Sequence, residues 1–494
     1  MRLHCPVHHW ARAAGRRAAL KFDRRWWTYG ELDREVGRWA ALLRSREIGD
    51  ASRVVLLTGN CPEFVFLAHA VARIGAALAP LNARLTAAEL KPLVERLSPA
   101  LIVAEERLRD RIPGALSLES LAEKAADARG WEGSTGRDFL SADRLFAILF
   151  TSGTTGTPKG VELTLGNFAA SARASAENLG GGADQRWLAC LPFFHVGGLA
   201  MLNRAAWYGA ALVVHSRFEP DAVIASMRAD EITHLSLVEN ALEQTLSAAA
   251  QKRFPPTLRA VLIGGGPVSA GVLQRAREAG LPALQTYGLT EATSQVTTER
   301  IGQADGETAG RPLQGVSVRL ADRTGIVRAP WQVGEIEVRA PTVMRGYWSD
   351  ADSTALALRG GWLHTGDVGT LDERGRLTVL ARRTDLIISG GENVYPAEVE
   401  RVLAEHPNVA DIAVVSRGDS RWGQVPVAAV VPRGERPMTA ELARWSRSRL
   451  APYKVPTRWL VFQALPRSAT GKIDRLAVRE MIERLLEEEI ATEP

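Results

Sequence analysis

The chain has 494 residues, of which 46% are hydrophobic and 24% are charged, so it is long enough for two to four domains with large cores. Lys and Arg (61) exceed Asp and Glu (56) by 5, and because no basic block concentrates this excess, nucleic-acid binding is not expected. The three cysteines, Cys5, Cys61 and Cys190, are too few for a disulfide framework. They indicate a reducing compartment, so we expect a cytoplasmic protein.

The N-terminal part of the sequence predicts no metal cluster, signal peptide or membrane span. The histidines and cysteine within residues 4–9 lack the paired spacing of a zinc site. Arginines within residues 12–17 interrupt the apolar run that a signal peptide needs. The most apolar stretch, residues 64–80, contains His69 and Arg73 and is therefore predicted to be a buried helix.

Short apolar runs rich in leucine and β-branched residues alternate with helical patterns in the first half of the chain. They lie at residues 53–57, 101–103, 145–150, 211–214 and 259–263. Such runs indicate parallel strands, apolar on both faces, with crossover helices. Ligands in these folds bind at the carboxyl ends of the strands. The loops after Phe150 and Ile263 and the segment around Tyr287 are therefore the expected site.

The pattern changes after about residue 310, where closely spaced strands with glycine-rich turns predict antiparallel structure. The later segments are strands at 334–339 and 376–380, a helix at 396–406, strands at 409–416 and 425–431, and a helix near 439–450. We predict an α/β fold with a large body of doubly wound sheets and an antiparallel β subdomain over residues 1–383. A small α+β domain is predicted over residues 384–494.

One loop has the composition of a phosphate-binding segment. The predicted strand ending at Phe150 runs directly into Thr-Ser-Gly-Thr-Thr-Gly-Thr-Pro-Lys-Gly at residues 151–160. Glycines, hydroxyls and Lys159 provide the backbone N–H groups, side-chain donors and positive charge that a polyphosphate needs. The spacing does not fit a P-loop, because Lys159 follows a proline instead of a glycine, and no dinucleotide-binding glycine pattern is present.

This loop and a series of later motifs resemble the adenylate-forming superfamily of acyl-CoA synthetases, luciferases and peptide-synthetase adenylation domains. The later motifs are Gly-Gly-Gly-Pro at 264–267, Tyr-Gly-Leu-Thr-Glu at 287–291, Gly-Tyr-Trp at 346–348, Trp-Leu-His-Thr-Gly-Asp at 362–367 and the segment 466–472, which ends in Gly-Lys. The resemblance covers nearly the whole chain, starting at Thr28. It implies an AMP-forming acid–thiol ligase that uses ATP, Mg²⁺ and coenzyme A.

The resemblance assigns most of these residues to the nucleotide. The phosphate loop is represented by Thr151, Ser152, Gly153, Thr154, Thr155, Gly156 and Lys159. The adenine would be flanked by Gly264, Gly265, Gly266, Pro267, Tyr287 and Gly288. The remaining nucleotide contacts would be Thr290 at the α-phosphate, Glu291 at Mg²⁺, and Asp367 and Arg382 at the ribose. Without their motifs, Tyr287 would be a core aromatic, Thr290 a helix cap and Asp367 a turn residue.

Lys472 corresponds to the family's adenylation lysine, which stabilises charge as the carboxylate attacks the α-phosphorus. Since Lys472 falls in the predicted small domain, the resemblance also implies that this domain moves between two arrangements. Thr384 stands where many relatives carry an acidic hinge residue. Gly390 and Gly391 would line the pantetheine tunnel, and His195 would form a gate beside the acyl pocket, the alternative for His195 being an ordinary buried histidine.

Within the superfamily the sequence is most similar to the o-succinylbenzoate–CoA ligases of menaquinone biosynthesis, above all in the segment 285–295, which ends in Thr-Ser-Gln. Their substrate carries a second carboxylate, so Arg204, Ser294 and Gln295 are candidate anchors for it. Arg204 is equally compatible with an ordinary surface arginine.

Other functions stay open at this stage. They are an acyl- or aryl-CoA synthetase for a different acid, an adenylation enzyme that loads a carrier protein, and a catalytically inactive homologue. The oligomeric state is undetermined, and a homo-oligomer is compatible with the sequence.

Overall fold

The computed structural model describes residues 1–128, 139–151, 158–249, 253–266, 268, 270–322, 325–381, 386–433, 439–467 and 473–492. The chain forms two compact units. The larger contains Met1–Ala83, Val94–Thr151 and Lys159–Ala381, and the smaller contains Arg84–Leu93, Pro158 and the described residues after Ala381. The predicted domain division at residue 383 stays a prediction.

Two large sheets of the first unit have parallel cores. In spatial order, the first contains strands Gly346–Tyr347, Lys159–Thr164, Leu145–Thr151, Ala77–Pro80, Arg53–Leu57, Leu101–Ala104 and Leu116–Ser117. The second contains Arg311–Pro312, Ser294–Thr298, Ala283–Leu289, Ala260–Ile263, His234–Leu237, Arg186–Ala189, Ala211–Val214, Ala18–Phe22 and Arg25–Thr28. Antiparallel strands occupy one edge of the first sheet and both edges of the second, whereas Leu116–Ser117, at the other edge of the first sheet, pairs in parallel. All five apolar runs predicted as strands are strands here, and the α/β fold class is confirmed.

The predicted antiparallel subdomain is also present. Its strands are Gly325–Val327, Ser317–Asp322, Gly334–Arg339, Trp362–Leu371, Leu358–Arg359 and Leu377–Ala381. Every pairing in this sheet is antiparallel. A short antiparallel pair, Arg2–His4 with Phe139–Ser141, completes the described strands of the unit.

The larger unit also contains a series of helices among its described residues. They are Pro6–Ala14, Tyr29–Ser45, Pro62–Ile74, Leu118–Asp127, Leu165–Leu179, Val196–Tyr208, Pro220–Ala229, Glu239–Ala249, Ala270–Glu278 and Ala351–Ala357, with 3₁₀ turns at Glu106–Arg111 and Thr290–Ala292. A further helix, Ala87–Leu97, begins in the segment assigned to the smaller unit. Helices Tyr29–Ser45 and Leu165–Leu179 begin with complete capping boxes, at Thr28 and Thr164.

The apolar stretch 64–80 was predicted as one buried helix, and that prediction was partly wrong. The helix ends at Ile74, because Gly75 adopts a left-handed conformation (φ 88°), and a buried strand, Ala77–Pro80, follows. His69 and Arg73 are buried with the rest of the helix. Within the described residues, no helix is long and apolar enough to cross a membrane.

The smaller unit has an α+β fold, as predicted, and contains a five-stranded sheet. Its strands are Glu392–Val394, Ile387–Ser389, Gly423–Pro432, Val409–Asp419 and Arg458–Val461, and the last of these pairs in parallel with Gly423–Pro432. Its helices are Pro396–Ala404, Thr439–Arg447 and Arg475–Thr492, with a 3₁₀ turn at Pro452–Lys454. The predicted helices at 396–406 and 439–450 are present but shorter.

Candidate active site

The ends of the phosphate-loop segment are fixed by an antiparallel pair of strands. Thr151, at the end of Leu145–Thr151, lies opposite Lys159, the first residue of Lys159–Thr164, and the Thr151 hydroxyl donates to the Lys159 carbonyl oxygen at 3.5 Å. Lys159 therefore belongs to a strand, although the sequence placed it in the loop. Ser152, Gly153, Thr154, Thr155 and Gly156 lie outside the described residues.

Tyr287 and Asp367 lie on strands of different sheets and meet through their side chains. Tyr287 is buried in Ala283–Leu289, and its hydroxyl donates to Asp367 Oδ2 at 2.7 Å. Asp367 is buried within strand Trp362–Leu371, so the alternative in which it is only a turn residue was wrong. The structure thus brings the predicted adenine neighbour and the predicted ribose acceptor into direct contact.

The glycines that are predicted to lie near the adenine are next to strand Ala283–Leu289, which carries Tyr287. Gly264, Gly265 and Gly266 follow strand Ala260–Ile263, which is parallel to Ala283–Leu289. A Cβ atom at Gly264 would lie 2.8 Å from Thr286 Cγ2, and one at Gly288 would lie 1.8 Å from the Ser294 carbonyl oxygen. Only glycine permits the backbone approach at Gly288, whereas a larger residue at Gly264 would have to displace the Thr286 side chain. Pro267 and Arg382 lie outside the described residues.

Thr290 and Glu291 occupy a single 3₁₀ turn, Thr290–Ala292, with no side-chain cap. The alternative in which Thr290 caps a helix was therefore wrong. Glu291 Oε1 accepts a hydrogen bond from the Tyr347 hydroxyl at 2.9 Å. Lys159 Nζ lies 5.1 Å from the centroid of the Tyr347 ring. The sequence does not predict a role for Tyr347, although its motif, Gly-Tyr-Trp, is part of the family resemblance.

Glu291 fits a role as a magnesium ligand. It is half-buried and makes no ion pair within the part of the chain that the structure describes. The same residues contain no group of three or more His, Cys, Asp or Glu side chains that could hold a metal. Mg²⁺ commonly takes one or two carboxylates and completes its shell with phosphate oxygens and water, so one free carboxylate suits a metal that arrives with a nucleotide.

His195 and Arg204 are carried by one helix. His195 is the N-cap residue of Val196–Tyr208 and is half-buried, and its ring packs edge-on against Phe194. Close packing fixes the start of this helix, because a Cβ at Gly198 would lie 2.3 Å from the Pro192 carbonyl oxygen.

Arg204 is only 2% exposed, so the alternative of a surface arginine was wrong. Its Nη2 donates to Ser294 Oγ at 3.4 Å, its guanidinium carbon lies 5.9 Å from the centroid of the Trp187 ring, and Nε has no hydrogen-bond partner. Burial lowers the Arg204 pKa, and no carboxylate within the described ranges forms an ion pair with it. A buried guanidinium of this kind is suited to an anionic ligand.

Ser294, which lies beside this guanidinium, has an unusual backbone conformation and is followed in the chain by Gln295. Both Thr293 (φ 54°) and Ser294 (φ 86°) are left-handed, which is costly for a β-branched residue such as Thr293. The Thr293 hydroxyl donates to the Thr342 carbonyl oxygen at 2.6 Å and holds this turn. Gln295 Nε2 donates to Thr298 Oγ1 at 2.9 Å, while its buried Oε1 has no partner.

In the smaller unit, Gly390 and Gly391 form the turn between strands Ile387–Ser389 and Glu392–Val394. Both have positive φ (57° and 83°), the conformation of a two-residue hairpin turn. Gly390 N donates to the Trp422 carbonyl oxygen at 2.8 Å, and a Cβ there would lie 2.7 Å from the indole. Their role at pantetheine stays a prediction, and Lys472 lies outside the described residues.

The fold and these motifs define the class of protein. The chain matches the AMP-binding enzyme family over residues 7–348 and the C-terminal domain of AMP-binding enzymes over residues 398–472. It therefore belongs to the AMP-binding enzyme family.

Individual relatives are similar over nearly their whole lengths. The 2-succinylbenzoate–CoA ligase of Bacillus pumilus (strain SAFR-032) is 39% identical over 474 residues, which is 94% of this chain and 96% of that protein. The corresponding Geobacillus kaustophilus (strain HTA426) protein is 38% identical over 94% of this chain and 95% of its own length. A Bacillus subtilis o-succinylbenzoate CoA synthetase double mutant, bound to a product analogue, has a TM-score of 0.90 at 34% identity, covering 96% of this chain and 98% of that one.

The Tyr287–Asp367 hydrogen bond generates a first prediction. Tyr287→Phe should weaken AMP binding by about tenfold, because it leaves a buried carboxylate without its donor while keeping the aromatic face. Isothermal titration calorimetry with AMP measures this dissociation constant. Tyr29→Phe is the matched control, since the Tyr29 hydroxyl is also buried but donates to the Ala205 and Ala210 carbonyl oxygens. Equal AMP affinity in wild type and Tyr287→Phe would contradict the assignment.

Proposed function

We propose that this protein joins 2-succinylbenzoate to coenzyme A at the expense of ATP, through an acyl-adenylate, as a step of menaquinone biosynthesis. The observation that carries the choice of acid is the buried Arg204 guanidinium beside Ser294, in a chain 39% identical to a 2-succinylbenzoate–CoA ligase. A benzoate or succinyl carboxylate would be an anionic partner for that guanidinium.

The reaction divides into two displacements. In the first, a carboxylate oxygen of the acid attacks the α-phosphorus of ATP, the bond from phosphorus to the bridging oxygen breaks, and pyrophosphate leaves. In the second, the thiol sulfur of coenzyme A attacks the acyl carbonyl carbon as the thiol loses its proton, and AMP leaves. Both displacements concentrate negative charge on oxygen atoms, so preorganised cations and donors are the main requirement.

The residues of the site have separate roles in the first displacement. Tyr287 and the glycines at 264–266 bind the adenine, and Asp367 accepts a hydrogen bond from a ribose hydroxyl. Lys159 and the loop 151–156 bind the β- and γ-phosphates, while Thr290 donates to the α-phosphate. Glu291 would hold Mg²⁺, which would supply positive charge to offset the negative charge of the departing pyrophosphate. Arg382 at the ribose and Pro267 at the adenine complete the nucleotide contacts.

The acid and the thiol would be held by other groups. Arg204, Ser294 and Gln295 bind the carboxylate that does not react, and His195 stands beside the acyl chain. Gly390 and Gly391 leave room for pantetheine. Lys472, on a C-terminal domain comprising residues 384–494 that moves between the two displacements, stabilises the attacking carboxylate and the α-phosphate in the first one.

We also propose a cytoplasmic location, because all three cysteines are unpaired, as expected in a reducing compartment. The partners in this proposal are small molecules alone: the acid, ATP and coenzyme A.

The proposal is tested by incubating the protein with ATP, Mg²⁺, coenzyme A and 2-succinylbenzoate while pyrophosphate release and thioester absorbance are followed. We expect both products in equal amounts, with no thioester when ATP or the acid is omitted. Benzoate and medium-chain fatty acids serve as comparison substrates. Pyrophosphate release with another acid but not with 2-succinylbenzoate would reject the proposed substrate and retain the reaction.

Arg204 generates a specificity prediction. The matched substrates are 4-oxo-4-phenylbutanoate and 2-butanoylbenzoate, each of which lacks one of the two carboxylates. Only the monoacid that keeps the reacting carboxylate can be a substrate. In the wild type, kcat/KM for the diacid should exceed kcat/KM for that monoacid by about 100-fold, and Arg204→Ala should reduce this ratio to near 1. This ratio does not depend on how much of a variant is folded.

The control for Arg204→Ala is Arg217→Ala, which removes an arginine whose side chain is 79% exposed. It should keep the wild-type preference for the diacid. An undiminished preference in Arg204→Ala would show that another group anchors the second carboxylate.

Lys472 generates a prediction that separates the two displacements. Lys472→Ala should slow adenylate formation by about 100-fold or more, since it removes charge stabilisation at the transition state. Thioester formation from supplied acyl-adenylate and coenzyme A should stay near the wild-type rate. Rapid-quench measurement of each half-reaction checks this, with Lys124→Ala on helix Leu118–Asp127 as an exposed control. Equal loss in both half-reactions would contradict the assigned role.

A further inference from the structure

Tyr347 lies between two charged side chains to which the proposed function gives separate roles. Its hydroxyl donates to Glu291 Oε1 at 2.9 Å, and its ring centroid lies 5.1 Å from Lys159 Nζ. Glu291 is the proposed magnesium ligand, and Lys159 is the proposed phosphate cation. One half-buried aromatic side chain therefore contacts both.

The backbone on either side of Tyr347 is fixed by hydrogen bonds to the elements that carry those two residues. Strand Gly346–Tyr347 pairs antiparallel with Lys159–Thr164, with Tyr347 opposite Val161. The Trp348 N–H donates to the Gly160 carbonyl oxygen at 2.7 Å, and the Met344 N–H donates to the Glu291 carbonyl oxygen at 2.7 Å.

The Tyr347 N–H itself donates to Thr354 Oγ1 at 2.8 Å. The phenol ring is thus attached to a backbone held on three sides, which limits the positions that its hydroxyl can reach. A hydroxyl held in this way can select one orientation of the Glu291 carboxylate.

The chemistry of the two contacts is different. A hydroxyl that donates to a carboxylate is a charge-assisted donor, but it leaves the net negative charge in place for a cation. An ammonium group near an aromatic ring is attracted by the ring's quadrupole while it keeps its charge for a phosphate. Tyr347 can therefore orient both groups without neutralising either.

We propose that Tyr347 is a positioning residue that fixes the Glu291 carboxylate for the metal of MgATP and supports Lys159 at the phosphates. The inference rests on the proposed function, because it takes Glu291 and Lys159 in the roles given there. Donors that orient metal-binding carboxylates commonly change metal affinity by about 10- to 100-fold.

The test compares Tyr347→Phe, which keeps the ring and removes the hydroxyl, with Tyr347→Leu, which removes both. Calorimetric titrations measure binding of ATP with Mg²⁺ and binding of AMP without divalent ions. Tyr347→Phe should bind MgATP about tenfold more weakly and raise the half-saturating Mg²⁺ concentration for turnover to a similar extent. AMP binding should stay within about twofold of wild type, and excess Mg²⁺ should restore kcat.

Tyr347→Leu should show the same loss and also a raised KM for ATP at saturating Mg²⁺, because the support of Lys159 is removed. In a Glu291→Gln background, adding Tyr347→Phe should change MgATP binding no further, since the hydroxyl would act only through the carboxylate. Tyr29→Phe, which removes a buried hydroxyl elsewhere, should leave the Mg²⁺ dependence unchanged.

Two results would overturn the inference. One is a wild-type Mg²⁺ dependence in Tyr347→Phe. The other is an equal loss of AMP and MgATP affinity in that variant, which would mean that the hydroxyl supports the fold instead of the metal ligand. A wild-type protein that makes no adenylate would reject the proposed function instead, and it is assayed first so that the two failures are distinguished.

Discussion

The pairing of strand Lys159–Thr164 with its two antiparallel neighbours is the interaction on which the site depends. On one side it places Thr151 opposite Lys159, and on the other it places Val161 opposite Tyr347. Gly160 makes this possible, because a Cβ there would lie 2.9 Å from Ile148 Cγ2 and 3.2 Å from Trp348 Cβ. The ends of the phosphate-loop segment and the tyrosine beside Glu291 are consequently positioned by a single set of backbone hydrogen bonds.

Each of the two carboxylates of the candidate nucleotide site accepts a hydrogen bond from a tyrosine hydroxyl. Asp367 accepts from the Tyr287 hydroxyl and Glu291 accepts from the Tyr347 hydroxyl, and neither makes an ion pair in the part of the chain that the structure covers. An arginine or lysine would neutralise a carboxylate, whereas a phenol fixes its orientation and leaves its charge. This arrangement suits groups that must bind a cation or accept from a ribose hydroxyl.

The sequence predicted the fold well because its parallel strands are short, continuously apolar runs separated by clear helical patterns. Family motifs also assigned Tyr287, Asp367 and Glu291 to the nucleotide, and all three lie in the larger unit. The sequence alone could not predict the hydrogen bond between Tyr287 and Asp367, because those residues lie on strands of different sheets. Such a contact depends on how sheets pack and not on local patterns.

The errors of the sequence-based predictions also have physical causes. Residues 64–80 were predicted as one helix because a buried helix and a buried strand are both continuously apolar, and only Gly75 marks the boundary. Tyr347 received no role because its importance lies in a contact across the fold. Arg204 was ambiguous because arginine is usually exposed, and its burial is visible only when helix Val196–Tyr208 is packed into place.

The burial of Arg204 gives a physical basis for the proposed selectivity among carboxylic acids. Removing a guanidinium from water is unfavourable, and the protein supplies Arg204 with Ser294 Oγ but with no carboxylate among the described residues. An acid with a second carboxylate recovers part of that free energy by completing the pair. An acid that lacks it must leave the cation buried and unpaired, and sites built on polar contacts reject such analogues far more strongly than apolar pockets do. In the proposed function, selectivity for a dicarboxylate would therefore follow from a charge that the fold has already desolvated.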